Sequence, residues 1–287
     1  MAPIAEPACA KVNLTLRVLG RRADGYHSIE SLVVFADAAD RLTLDPDRVD
    51  GFAMDGPTAR TVEGDNLVAR VLALAREAAP ELSFGHLHLE KLLPVAAGIG
   101  GGSADAAAAI RAILQRHPDE PRLRALANDA KALGADVPAC LVSRALVMRG
   151  IGEEVTPLRN FTPVHAVLVN PRVPLATAAV FKALAAPPSP ADTQPLHWPE
   201  VIKNLDDLIR LIADRPNHLE PLARTRLPVI GEMLAALNAL PGCRLARMSG
   251  SGPTCFGLFD RRDDAQASVL SLSQIHAGWW VTATTLA

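Results

Sequence analysis

The segment Gly98-Ile-Gly-Gly-Gly-Ser103 is the part of this 287-residue chain best suited to chemistry. A phosphate cradle needs backbone amides turned inward with no side chains in the way, which calls for glycine. It gains from a helix N-terminus, whose dipole favours negative charge. The alanine-rich run from Ala104 to Leu114 is a strong helix former, and Gly85 to Leu92 alternates like a strand. Strand, glycine loop and helix therefore follow in the order such a site requires. The loop runs Pro94, Val95, Ala96, Ala97, Gly98, Ile99, Gly100, Gly101, Gly102, Ser103, Ala104, and its expected ligand is the phosphates of ATP. A plain strand-to-helix turn would need fewer glycines. Ser103 adds a hydroxyl, available as the helix N-cap or as a contact to phosphate or magnesium.

Two other nucleotide loops lose their key residue here. A dinucleotide-binding loop needs Gly-x-Gly-x-x-Gly, but the sixth position is Ser103 and no acidic residue ends a strand at the expected distance. A P-loop needs Gly-Lys followed by Ser or Thr, a pair that does not occur. Positive charge must then come from another lysine, and Lys11 and Lys91 are the candidates in the first half. Taken alone, Lys11 also fits a solvated lysine on an edge strand. Asp136, in Gly134-Ala-Asp-Val-Pro138, fits a helix N-cap with proline just inside the helix. Tyr26 and His27 could close a turn, and Ser249-Gly-Ser-Gly252 could be a plain hairpin. His86 and His88 share a strand face, but no third ligand lies near them in sequence, so they read as surface histidines.

Around these residues the spacing predicts the following elements. Ala8 to Val18 alternates with period two, a half-buried strand that puts Lys11 and Asn13 on one face. Ser31 to Phe35 and Arg41 to Leu44 read as two further strands, with a turn at Arg21 to Tyr26. Asp65 or Asn66 can cap a helix from Leu67 to Ala79, and another helix runs from Arg122 to Leu133. After a break at Thr156 to Pro163 come a strand, Val164 to Val169, and a short helix, Thr177 to Leu184. Pro187 to Pro199 holds five prolines and reads as a loop. Helices over Val201 to Asp214 and Leu227 to Leu240 follow. Two strands then flank the second glycine turn, Cys243 to Met248 and Thr254 to Phe259, and a helix and a strand at Trp279 to Thr284 end the chain. There is no internal repeat.

Composition narrows the partners. With 29 Lys and Arg against 31 Asp and Glu, the net charge of -2 gives no field for gathering nucleic acid or an anionic membrane. Cys9, Cys140, Cys243 and Cys255 are far apart, which fits a reducing cytoplasm better than a disulfide or zinc framework. No apolar run reaches the length of a membrane span, and the first ten residues lack a secretory pattern.

Taken together, the segments Ala10-Lys-Val-Asn-Leu14, Asp24-Gly-Tyr-His27, Gly64-Asp-Asn-Leu67, Pro94 to Ala106, Gly134 to Pro138, Arg149-Gly-Ile-Gly-Glu153 and Met248 to Gly252 resemble the GHMP kinase superfamily, in the family's order. Asp24 to His27 and the triple glycine resemble the branch whose acceptor is CDP-methylerythritol, on the non-mevalonate route to isoprenoid precursors. The resemblance implies an α+β, two-domain fold. Residues 1–157 would form a ribosomal S5 domain 2-like ATP-binding domain and 158–287 a ferredoxin-like domain, with the active site in the cleft between them. It implies a cytoplasmic phosphotransferase using ATP and Mg2+, monomeric or homodimeric. Asp136 would be the catalytic base, with Lys11 beside it stabilising charge. Asn13, Tyr26, His27 and Phe181 would hold the cytidine, although Phe181 fits core packing equally well. Ala104 stands where the family often has a second serine. His218 stands where Asn-Asp-Leu-Glu is common, in a stretch expected to lie away from the chemistry.

Overall fold

The computed structural model describes residues 2–62, 66–184 and 194–287. Gly64, Asp65 and residues 187–193 of the proline-rich loop lie outside them; residues 194–199 have no regular structure. Among the described residues the strands are, in chain order, β1 (Ile4–Asn13), β2 (Arg17–Arg21), β3 (His27–Asp45), β4 (Gly51–Asp55), β5 (His86–Glu90), β6 (Leu146–Arg149), β7 (Glu154–Pro157), β8 (Asn160–Phe161), β9 (Val164–Asn170), β10 (Val201–Ile202), β11 (Cys243–Met248), β12 (Cys255–Phe259) and β13 (Trp280–Leu286). The α-helices are α1 (Leu67–Ala78), α2 (Gly101–Arg116), α3 (Pro121–Asn128), α4 (Val137–Val142), α5 (Thr177–Ala183), α6 (Leu205–Ile212), α7 (Glu220–Arg226), α8 (Val229–Asn238) and α9 (Arg262–Ile275).

These elements divide into two compact units that interleave along the chain. One comprises Met1–Ala10, Ala39–Val95 and Gly100–Val142; the other comprises Lys11–Ala38, Ala96–Ile99 and Ser143–Ala287. In the first, the end of β3 runs antiparallel to β5 in the register Arg41↔Glu90 to Asp45↔His86, and β5 lies parallel to β4. Leu42, Leu44, Leu87 and Leu89 send one face of this sheet into the core. Helix α2 packs against α1, α3 and α4. Ala104, Ala106 to Ala109 and Ala112 are all buried, so alanine serves close approach of neighbours as well as helix propensity.

In the second unit, β11, β12, β9 and β13 form an antiparallel sheet in that order. In chain order this is a strand, helices, two strands, a helix and a strand, with spatial order 4-1-3-2, the split βαβ arrangement of a ferredoxin-like domain. Ile230, Met233, Leu237 and Leu272 from α8 and α9 meet Val167, Val169 and Phe259 in its core.

Several boundaries differ from the sequence-based expectation. The strand expected over Ala8 to Val18 breaks after Asn13, because Leu16 leaves it to bridge Asn217, accepting the amide of His218 at 2.8 Å. The strand is also not half-buried: Lys11, Asn13 and Thr15 are as buried as the apolar residues between them. The two strands expected over Ser31 to Phe35 and Arg41 to Leu44 are one continuous β3. Its apparent interruptions, Asp37 and Asp40, are satisfied by Thr284 with Thr285 and by Lys91. The helix expected over Arg122 to Leu133 ends at Asn128 and resumes as a single tight turn at Ala130–Ala132. In the helix expected from Val201, the first residues instead form β10, and Asn204 caps α6 by accepting from the Asp207 amide at 2.8 Å. Helix α7 was not expected; its Pro221 occupies the first turn, where no amide is needed.

Candidate active site

Helix α2 begins earlier than its alanines suggested. Gly100 is its N-cap, in the left-handed region at φ 65°, and Gly101 and Gly102 are already helical. No side chain caps this end, and the first intrahelical bond runs from Ala104 N–H to Gly100 O at 2.8 Å. The amides of Gly101, Gly102 and Ser103 therefore have no helical acceptor and are oriented to meet an anion. Ser103, expected as a possible N-cap, is the third residue inside the helix, so the capping role falls away. Its hydroxyl instead neighbours the Gly134 turn: a methyl at Gly134 would lie 3.7 Å from Ser103 Oγ. Asp136, in that turn, precedes α4, and its carbonyl accepts the Cys140 amide at 3.1 Å. The same unit thus brings the loop hydroxyl and the Gly134 to Pro138 motif together.

Beneath α2 lies a charge cluster of which spacing suggested only the lysine. The Lys91 ammonium is 2.5 Å from Asp40 Oδ2 and 2.6 Å from Asp105 Oδ2. Burial alone would lower the pKa of Lys91, but the two carboxylates reverse that and hold it above its usual value. Burial pushes Asp105 up to about 7; Lys91 opposes this and the neighbouring Asp40 charge adds to it. Asp105 Oδ1 is buried without a hydrogen-bond partner.

In the second unit, residues 96–99 of the loop are fixed backbone to backbone. Lys11 N–H donates to Ile99 O at 2.8 Å, and Thr254 N–H to Ala97 O at 3.2 Å. Gly98, at φ 72°, passes so close to the second glycine turn that a methyl there would lie 2.4 Å from Gly252 O. Ser249-Gly-Ser-Gly252 is therefore more than a hairpin turn. Ser249 Oγ accepts from the Asn13 amide at 3.0 Å and donates to Gly98 O at 3.4 Å.

Lys11 is 5% exposed and Asn13 1%, which rules out the solvated edge-strand lysine. Lys11 Nζ donates to Asn13 Oδ1 at 3.1 Å, and Asn13 Nδ2 donates to Ser31 Oγ at 2.8 Å. Asn217 Nδ2 donates to the carbonyls of Met248 at 2.9 Å and Gly250 at 2.7 Å, while its Oδ1 accepts from the Leu219 amide. The segment around Asn217 was expected to lie away from the chemistry; it supports the second glycine turn directly. His218 beside it accepts from the Val18 amide through Nδ1 at 3.2 Å. Burial and the nearby Arg17 charge lower its pKa.

The residues expected to hold a base fall into two groups. The His27 and Phe181 rings lie 5.1 Å apart at 33°, and Phe181 also packs against the core, as one of its two readings expected. Burial and the Arg21 charge lower the pKa of His27. Tyr26, by contrast, is 61% exposed, held by its amide to Asp24 Oδ1 at 3.0 Å in the expected turn. Nearby on β3, fully buried Glu30 accepts from Arg149 Nε, the Leu196 amide and Trp198 Nε1. His86 and His88 stay on the outer face of β5, His88 paired with Asp55 at 3.0 Å. Among the described residues, no group of three or more His, Cys, Asp or Glu could hold a metal ion.

Comparison with known proteins gives the family. Residues 66–144 match the family described as GHMP kinases N terminal domain, and residues 199–274 match GHMP kinases C terminal. The chain is similar to the 4-diphosphocytidyl-2-C-methyl-D-erythritol kinase of Dinoroseobacter shibae, 50% identical over 99% of this chain and 95% of that one. It is likewise similar to the protein of that name in Parvibaculum lavamentivorans, 49% identical over 97% of each. A solved 4-(cytidine 5'-diphospho)-2C-methyl-D-erythritol kinase superposes with a TM-score of 0.78 at 36% identity, covering 99% of both chains. Homoserine kinase from Cytophaga hutchinsonii, at 18% identity and a TM-score of 0.68 over 99% of this chain and 95% of that one, shares the fold.

Proposed function

The chain belongs to the GHMP kinase family, and from that premise we propose that it transfers the γ-phosphoryl group of ATP to the 2-hydroxyl of 4-(cytidine 5'-diphospho)-2-C-methyl-D-erythritol, on the non-mevalonate route to isoprenoid precursors. The observation that carries this reading is the uncapped first turn of α2, with Ser103 Oγ beside the turn that bears Asp136. The amides of Gly101 to Ser103 would bind phosphate oxygens at the positive end of the helix. Magnesium would arrive on the nucleotide's phosphates and supply charge neutralisation there.

Phosphoryl transfer depends mainly on positioning and charge stabilisation. Asp136 takes the proton of the acceptor hydroxyl as the new O–P bond forms and ADP leaves with the old bond's electrons. The Lys11 ammonium, oriented by Asn13, stabilises the charge on the group in transfer. The His27 and Phe181 rings, with Asn13 and the exposed Tyr26, offer the cytosine both stacking faces and hydrogen bonds. The lowered pKa of His27 leaves its ring neutral at physiological pH, able both to donate and to accept. Among the described residues no helix is long and apolar enough to cross a membrane.

The test is a phosphate-transfer assay with the CDP-linked acceptor, homoserine and mevalonate, on wild type and Asp136→Asn. Wild type should phosphorylate the CDP-linked acceptor alone, and the variant should lose roughly two to four orders of magnitude in rate. Equal rates would end the general-base role. Reaction with only homoserine or mevalonate would remove the acceptor assignment and leave the kinase.

A further inference from the structure

We propose that Lys91, gripped by Asp40 and Asp105, is a positioning residue that fixes both ends of the phosphate loop without touching phosphate itself. The inference rests on the reading that this loop holds the nucleotide's phosphates.

Asp40 acts on the entry to the loop. Its Oδ1 accepts the amides of Leu92 at 2.6 Å and Leu93 at 2.8 Å, fixing the backbone just ahead of Pro94, while its Oδ2 holds Lys91 Nζ. The Lys91 backbone is itself tied to β4, donating to Asp55 O at 2.8 Å. Asp105 acts on the exit. It stands in the opening turns of α2, and its Oδ2 takes the same ammonium at 2.6 Å. The strand end and the helix start are therefore joined through a single nitrogen. That nitrogen lies directly beneath the first helical residue, since a methyl at Gly101 would be 3.8 Å from Lys91 Nζ and 3.9 Å from Asp40 Oδ2.

The charge count argues against the alternative, in which Lys91 is a counter-charge for phosphate. One ammonium faces two carboxylates, and Lys91, Asp40 and Asp105 are 4%, 0% and 4% exposed. An ammonium whose donors already serve two buried carboxyl groups has little left to offer a ligand. A buried trio of charges is also a poor way to gain stability, because well-packed apolar residues of similar volume do as well or better. Asp105 even leaves Oδ1 unsatisfied. What the trio supplies is a fixed geometry at the foot of the loop.

The experiment uses Asp105→Asn, which keeps the side chain's shape and weakens one grip. Binding of the non-hydrolysable β,γ-imido analogue of ATP is measured by calorimetry, alongside KM for ATP, KM for the acceptor, kcat and melting temperature. The clamp predicts analogue affinity and KM for ATP both worse by on the order of tenfold, short of the ~100-fold that a 1 Å misplacement can cost. Acceptor KM, and kcat at saturating ATP, should stay within about twofold. Tighter analogue binding would overturn the proposal, because it would mean that freeing Lys91 supplies charge to phosphate. Unchanged affinity with a lower melting temperature would overturn it too, reducing the trio to a structural role. Should the single variant fold poorly, the pair Lys91→Met and Lys91→Met/Asp105→Asn decides: the clamp predicts equal losses, and additive losses refute it. A wild-type chain that ignored the analogue would remove the loop assignment and the clamp together, whereas the outcomes above remove the clamp alone.

Discussion

Gly98→Ala and Gly102→Ala should shift stability in opposite directions while both weaken nucleotide binding. At Gly98 the backbone sits at φ 72°, and an added methyl would lie 2.4 Å from Gly252 O and 2.9 Å from Gly252 C and N. The left-handed conformation alone costs an alanine roughly 1–2 kcal/mol. Restoring a 3.0 Å contact from 2.4 Å needs 0.6 Å of movement between two backbone segments, neither of which has a rotamer to change. Overpacking of this kind adds about 1–3 kcal/mol, for a total of roughly 2–5 kcal/mol. Gly102 is helical, and among the described residues its methyl would meet only Leu67 Cδ1 at 3.9 Å, an ordinary contact. Alanine there should stabilise the helix by about 0.5–1 kcal/mol. The fold thus requires glycine at 98 and gives no reason for it at 102, which leaves the approach of phosphate as the reason at 102. Denaturant midpoints and calorimetric titration with the imido analogue of ATP read the two effects separately. A Gly102→Ala protein that was more stable and bound the analogue as tightly as wild type would refute the ligand explanation. A Gly98→Ala protein as stable as wild type would refute the close approach to Gly252.

Two further outcomes follow from the buried polar groups. Burial pushes the Asp105 carboxyl up to about 7, well above the ordinary carboxylate range, so the folded chain holds this proton more tightly than the unfolded one. Its ionisation penalty is absent well below the ordinary carboxylate range and grows as pH rises towards neutrality, so the stability contributed by this group falls as pH rises. Asp105→Asn should therefore flatten the melting profile across that window, and parallel wild-type and variant profiles would show the carboxyl to be ionised throughout. Asn217→Ala leaves the Met248 and Gly250 carbonyls and the Leu219 amide without their partner. Denaturant unfolding should show a loss of about 3 kcal/mol, and Asn217→Asp should be worse because it turns a carboxylate onto two carbonyls. Asp milder than Ala would contradict the assigned orientation of the amide.

The glycine loop was legible in the sequence because its physics is local. Glycine frees the backbone, alanine makes the helix, and the order of strand, loop and helix can be read within about twenty residues. The individual strands and helices of the second half were legible for a similar reason, through period-two runs separated by helical ones, whereas their arrangement as a split βαβ sheet came only from the family resemblance. Within the glycine loop, the start of α2 was misjudged, since spacing gives glycine no credit as a helical residue and nominated Ser103 instead.

What spacing missed has a common cause. Asp37, Asp40, Asp105 and Asn217 each interrupt an apolar pattern, and each is satisfied by a partner remote in sequence: Thr284, Lys91, Lys91 again, and the Met248 to Gly250 turn. In a one-dimensional reading a polar residue in an apolar run marks either a break or an exposed face, because the cost of burying it is counted without its partner. Pairing changes the sign of that inference: Asp40 continues β3 rather than ending it. The same correction applies to Lys11, which alternation places on an outer face and which Asn13 and Ser31 make habitable inside. Candidate catalytic groups and structural polar groups are alike in this respect, so a charged residue that breaks an apolar pattern without a glycine or proline beside it is best sought in the interior, near a partner that its own segment does not contain.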